Sequence, residues 1–394
     1  MPTESTANGV DDFPLVLAGP SHRLSQYLGL SGTGPARSLW RIGLLVLATW
    51  GPLLAFSWIS GYAVGRDVAV PFFHDPEVHV RFLVVLPLLE IASILVAMSL
   101  PVQAQHFSEA RIVSEQDMPG FRRAQSDALW LRQAIGAEGA ILVLCYVVSV
   151  VLRLVFHFSE GDSSWELTGG VVTLAGWWYM LFSLPILYFL LLRWAWVFAL
   201  WGWLLFRISR LDLKLTATHP DRAGGLGFIA WGLVSFAPVL AAIAAVCSAA
   251  LADEVLHRGK SLDSLKYDIA AFAISAIAVL YLPLLTFSGK LSRCRFKGLL
   301  DFGALALRYD RAFDEKWISD PAAVEGRALL GNSDLQSLAA VATCYEHSDR
   351  MRLIPFDSKA FFVLVLAALV PMIPLLGTAV PLREMFVKLA SLLM

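Results

Sequence analysis

The 394-residue chain is 57% hydrophobic and only 16% charged, with a mean hydropathy of +0.64, whereas an ordinary soluble domain is about 45–50% apolar and about 25% charged. That excess excludes an ordinary water-soluble globule, and the net charge of -1 excludes the broad basic excess that binds nucleic acid. The four cysteines, Cys145, Cys247, Cys294 and Cys344, have the spacing of neither a disulfide framework nor a zinc site.

The first 38 residues are polar, carrying Glu4, Asp11 and Asp12 around one short apolar run at 13–17, and read as a cytoplasmic tail rather than a cleavable signal peptide. Gly32, Thr33, Gly34 and Pro35 end that tail before the membrane. About 20 mainly apolar residues cross a hydrocarbon core about 30 Å thick. Seven windows meet that length, near 39–63, 81–102, 137–158, 170–192, 226–251, 269–289 and 360–380. The fourth continues through Arg193 and a run of tryptophans to Arg210, as one long helix or as a break near Arg193 followed by a helix lying at the interface. The sixth continues through Lys290 to Trp317 on an apolar stripe, and Ser333, Asp334, Leu335 and Gln336 open another helix towards Met351. Of 31 Lys and Arg, 23 fall on the N-terminal side and in the alternate connections that share it, and 8 on the other. This predicts a cytoplasmic N-terminus and an outer C-terminus, unless Pro371, Pro374 and Pro381 fold the last segment back.

The expected class is all-α, a polytopic helical membrane protein of about seven transmembrane helices with long cytoplasmic helix extensions. Its parts are a polar tail (1–38), a six-helix membrane region (39–289), a cytoplasmic helical segment (290–359), and a last helix with the C-terminal tail (360–394).

Within the spans, Glu90 and Arg153 are the informative charges, placed by residue count in the outer half of the bilayer and expected to pair. Intramembrane charge costs about 2.5–3.5 kcal/mol on insertion scales, so pairing or water access is the default, as part of an ion path or as a structural contact. His157 lies one turn beyond Arg153 as a proton or pH site. Pro52, Pro87, Pro185, Pro238, Pro283 and Pro371 put a proline in every span but the third; each frees a carbonyl and bends its helix. The strings around them, such as LPLLEI and LPLLTF, read either as traces of an internal repeat or as chance in apolar sequence.

Two polar segments remain. THPDRAGGLGF, residues 218–228, brings His219, Asp221, Arg222, Gly224, Gly225 and Gly227 to the start of a span. It reads as an anion or lipid-headgroup site, or as a tight turn with Asp221 as cap. HDPEVH, residues 74–79, has His and carboxylate groups, but Pro76 breaks the helical spacing a metal pair needs, so no metal site is expected. No nucleophile elbow, P-loop or HExxH helix occurs, so neither enzyme activity nor a cofactor is expected.

HVRFLVVLPLLE, THPDRAGGLGF, MRLIPFD and PMIPLLGTAVPL resemble recurring segments of uncharacterised bacterial multi-pass inner-membrane proteins. That resemblance implies a bacterial inner-membrane location and a shared fold, and supplies no catalytic residues. Two functions compete: an oligomeric channel or transporter for a small ion or solute, and a membrane sensor or assembly subunit that engages a protein partner through its cytoplasmic helices. The partners expected are membrane lipid and further copies of the chain, and no nucleic acid.

Overall fold

The computed structural model describes residues 35–64, 68–151, 163–256, 260–319 and 333–375. Five helices among them are long and apolar enough to cross a membrane, or six if one bent pair forms a single span. Helix α1, Pro35–Ile59, begins on a proline, whose fixed φ and missing N–H suit a helix start. Helix α2, Pro76–Glu109, starts where the Asp75 carboxylate accepts from the amides of Glu77 at 2.9 Å and Val78 at 3.3 Å. Helices α3, Met118–Gln133, and α4, Ile135–Val151, are the bent pair. Ala134 leaves helical geometry at ψ 113° and the axis turns by 45°.

A two-residue hairpin of β1, Leu167–Thr168, and β2, Val171–Val172, follows, antiparallel with Leu167 opposite Val172. Its Gly169 and Gly170 take φ of 60° and 76°, the left-handed pair such a tight turn requires. Helix α5, Leu174–Ser209, is capped by Thr173, which accepts from the Gly176 amide at 3.0 Å. It runs unbroken through Arg193, so the single long helix is observed and not the interfacial break. Helix α6 covers Phe228–Leu256. Helices α7, Leu262–Tyr281, and α8, Ser288–Trp317, are joined by a 3-10 segment at Leu282–Phe287 into one rod. Helix α9, Ser333–Asp349, packs back along α8, and α10, Ser358–Met372, is a shorter apolar helix capped by Asp357. The seventh expected span is represented only by α10, since 376–394 lie outside the described residues.

The connections gather at two ends. At one, Val70 pairs with Ser164, and Phe72 packs on Trp165 with ring centroids 5.2 Å apart. At the other, Val113 bridges Leu213, Lys290 donates to the Leu211 carbonyl, and the Arg352 amide donates to the Arg222 carbonyl at 2.7 Å. The helices therefore alternate in direction, as antiparallel spans must. Their shared core runs through Phe82, Leu89, Val96, Leu187, Trp201, Leu233 and Phe287, all buried.

Most span prolines sit beside a local change of winding rather than a simple kink. Pro87 and Pro185 follow π turns at Val80–Val85 and Tyr179–Ser183, and Pro283 and Pro371 lie inside 3-10 turns. Rewinding relieves the clash between the proline ring and the carbonyl four residues earlier.

Candidate functional site

Five charged side chains from five helices meet inside the bundle. Arg41 of α1 approaches Glu90 of α2 at 3.2 Å, their side chains 15% and 13% exposed. Arg132, in the last turn of α3, donates to Glu138, in the first turn of α4, at 2.6 Å. Arg193 of α5 lies within electrostatic reach of all four. The break at Ala134 explains the second pair. Six residues along an unbroken helix rotate by about 600°, roughly 120° away from alignment, and the bend brings the two groups together. Each also suits its helix end, the cation at a C-terminus and the carboxylate at an N-terminus.

The level of this cluster is apolar. On α2, exposed Leu83 and Val84 precede Glu90 and exposed Ile91, Leu95 and Met98 follow it. Arg132 is wholly buried, yet its Nε and Nη2, with Arg41 Nε, have no hydrogen-bond partner. The Glu90 carboxylate approaches Arg41 without hydrogen-bond alignment at Oε2. Among the described residues the cluster brings three guanidinium groups together with two carboxylates.

The partner found for Glu90 is thus Arg41. The expected partner Arg153, and His157 beyond it, lie outside the described residues. The depth of Glu90 also differs from the sequence reading. Helix α2 starts at Pro76, not near Arg81, so Glu90 lies 14 residues, about 21 Å, along it. It faces a residue near the start of α1. Arg81 itself, counted as an outer-face charge, is tucked in: it donates to the Tyr179 hydroxyl at 2.5 Å and pairs with Glu77.

The Gly-rich segment closes on itself. Asp221 Oδ1 accepts from the amides of Ala223 at 2.8 Å and Gly225 at 3.2 Å, and Oδ2 accepts from Gly227 at 2.8 Å. His219 Nδ1 lies 2.7 Å from the same carboxylate. Burial raises the Asp221 pKa, but the three amides and His219 outweigh it and hold the carboxyl below its ordinary value. The amides that an external anion would need are taken by the chain's own carboxylate. Asp221 organises the turn, while the residue at the start of α6 is Gly227. A Cβ on Gly227 would sit 3.0 Å from the Asp221 side chain, and one on Gly224, at φ 65°, would sit 3.0 Å from Met351. Gly225 has φ 96°, and Arg222 holds φ 55° while its carbonyl receives the Arg352 amide.

HDPEVH has a structural use. Asp75 caps α2 and accepts from Trp165 Nε1 at 2.9 Å, and His79 accepts from Trp50 Nε1 at 3.1 Å among Phe72 and Phe73. Among the described residues no group of three or more His, Cys, Asp or Glu is placed to hold a metal.

Comparison of the chain with family models, with characterised proteins and with solved structures gives no match.

Proposed function

We propose that this is an inner-membrane protein of bacterial type, its N-terminus in the cytoplasm, that carries a small ion or solute past the charge cluster of Arg41, Glu90, Arg132, Glu138 and Arg193. The observation that carries the reading is that a wholly buried Arg132 keeps nitrogens without partners at an apolar level of the bundle. An anchor gains nothing from such expense, and intramembrane charges that persist line substrate or ion paths. The three guanidinium groups that the described residues place there favour an anionic passenger. Proteoliposomes test it: the unmodified protein should pass a small anion such as chloride, and Arg193→Gln should cut that flux while the protein still folds. Absence of flux for every small ion and solute tried, in well-folded preparations, refutes it. Orientation is tested by cysteine labelling in intact cells, where the loop around 111–117 should resist an impermeant reagent added outside.

A second reading has its own support. On α8, Phe296, Leu300 and Leu307 are exposed on one helical face beyond the membrane stretch. Such a face suits a partner helix, either a second copy or a cytoplasmic protein, as a sensor or assembly subunit requires. Retention of that partner by a chain devoid of flux would favour this reading over transport.

A further inference from the structure

Between the α7–α8 rod and the segment that leads into α10 lies an open groove of about 810 Å³, within the range of about 300–1,000 Å³ typical of ligand clefts. Its walls are apolar: Ile274, Ile277 and Tyr281 from α7, and Phe361 from α10. Ile274 is 70% exposed, so the groove opens sideways, towards where lipid chains would lie. Tyr281 lies seven residues beyond Ile274, about 10 Å along the helix, most of the depth of one leaflet.

The groove ends at two arginines. Arg295 comes from α8, and Arg352 from the strap after α9. Side chains on a helix lean towards its N-terminus, so Arg295 reaches back to the apolar walls. Its Nε is buried without a partner, and its Nη2 meets Asp349 at 3.2 Å, an exposed and therefore exchangeable pair. Arg352 lies over the Phe356 ring at 5.5 Å and donates to the Phe356 carbonyl. The Gly-rich turn sets its position: the Arg222 carbonyl receives the Arg352 amide, and Gly224 admits Met351 beside it. Asp357, five residues beyond Arg352, is engaged in capping α10.

We propose that this groove holds an anionic phospholipid, an acyl chain along Ile274, Ile277 and Phe361 and its phosphate between Arg295 and Arg352. Apolar walls opening to the bilayer with guanidinium groups at one end complement that molecule, and a fully apolar occupant would leave Arg295 Nε unanswered. The headgroup chemistry foreseen for THPDRAGGLGF is thus moved one layer along, to the arginine that this segment positions.

Native mass spectrometry of the full chain in detergent tests the assignment, after equilibration with vesicles of phosphatidylglycerol or of phosphatidylcholine, and with glycerol phosphate as the headgroup alone. Phosphatidylglycerol should be retained at least about tenfold better than phosphatidylcholine, a preference of the size charge-assisted contacts provide, and glycerol phosphate should not be retained. Arg295→Gln should erode the preference without unfolding the chain, since the side-chain bond it gives up is to exposed Asp349. Arg295→Gln with Arg352→Gln should abolish it. Ile277→Trp, which fills the wall and keeps both charges, should lose both lipids. Equal retention of the two lipids by the unmodified protein, a preference that survives Ile277→Trp, or retention of glycerol phosphate as strong as that of the lipid would each overturn the proposal. So would a dimer that Ile277→Trp dissociates, which would give the groove to a second copy.

Discussion

Replacing Glu138 by Gln strands the guanidinium of Arg132, and the geometry sets the penalty. The Arg132 side chain is 0% exposed and that of Glu138 8%, at 2.6 Å, so neither can turn to water. Two nitrogens of Arg132 already lack partners, leaving Glu138 as the group that meets the buried charge. Removing one member of a buried pair typically costs about 3–5 kcal/mol, whereas replacing both by apolar groups is often neutral. Glu138→Gln and Arg132→Met should therefore each lower the melting temperature of the detergent-solubilised protein markedly, and Arg132→Met with Glu138→Leu should recover most of the loss. The loss should persist in high salt, because a buried pair is little screened. Should both single variants melt as the unmodified protein does, the pair does not hold the α3–α4 bend and the argument from burial fails.

The Gly-rich turn yields two further expectations. Asp221 has a depressed pKa in the folded chain, so its contribution is complete above its ordinary value of 3.8 and fades as pH falls through the lower folded value. Asp221→Asn should remove that acid-side dependence and, by setting an NH₂ group against the Gly227 amide, cost about 1–3 kcal/mol, read as faster amide exchange at 223–227. Gly224→Ala forces a Cβ into φ 65° and within 3.0 Å of Met351; a loss of about 1–2 kcal/mol is expected in thermal melts.

Much of the fold was legible because lipid imposes a simple rule. Apolar runs of span length marked five long helices; of the two readings left open past Arg193, α5 takes the single helix, and the stripe past Lys290 is helical to Trp317. Ser333 opens α9, where the capping-box pattern of Ser333 and Gln336 placed a helix start. The site was less legible. Arg41 counted only as a positive charge fixing orientation, and its contact with Glu90 depends on how two helices pack, which no local pattern encodes. Arg132 and Glu138 lie far from alignment on a continuous helix, and nothing at Ala134 itself announces a break; Gly136, two residues on, was the available signal. Asp221 was recognised as a cap, but only the folded turn shows its carboxylate filling the three amides that suggested an anion site. The prolines were visible, and the π turns before Pro87 and Pro185 were not, because π winding has no strong sequence signature.

Those π turns carry a consequence for register. Arg81 and Glu90 are nine residues apart, which in a regular α-helix is about 900° of rotation, half a turn from alignment. A π turn absorbs one extra residue, reducing the offset to about 80°, and both side chains are turned largely inward, 12% and 13% exposed. Deleting Val84, a lipid-exposed residue of the π turn, should return this stretch to α winding while keeping Val96, Leu100 and Phe107 on the buried face. It would also restore the clash of the Pro87 ring with the carbonyl four residues earlier, so the deletion is to be made together with Pro87→Ala. Deleting Leu95 instead, equally apolar and 41% exposed, removes a residue from regular helix and swings those three side chains by about 100° towards lipid. The first variant should yield monodisperse protein on size-exclusion chromatography and the second should aggregate. If the Leu95 deletion is tolerated and the Val84 deletion is not, the π turn is not an inserted residue that sets the phase of α2, and the inward placement of Glu90 needs another cause.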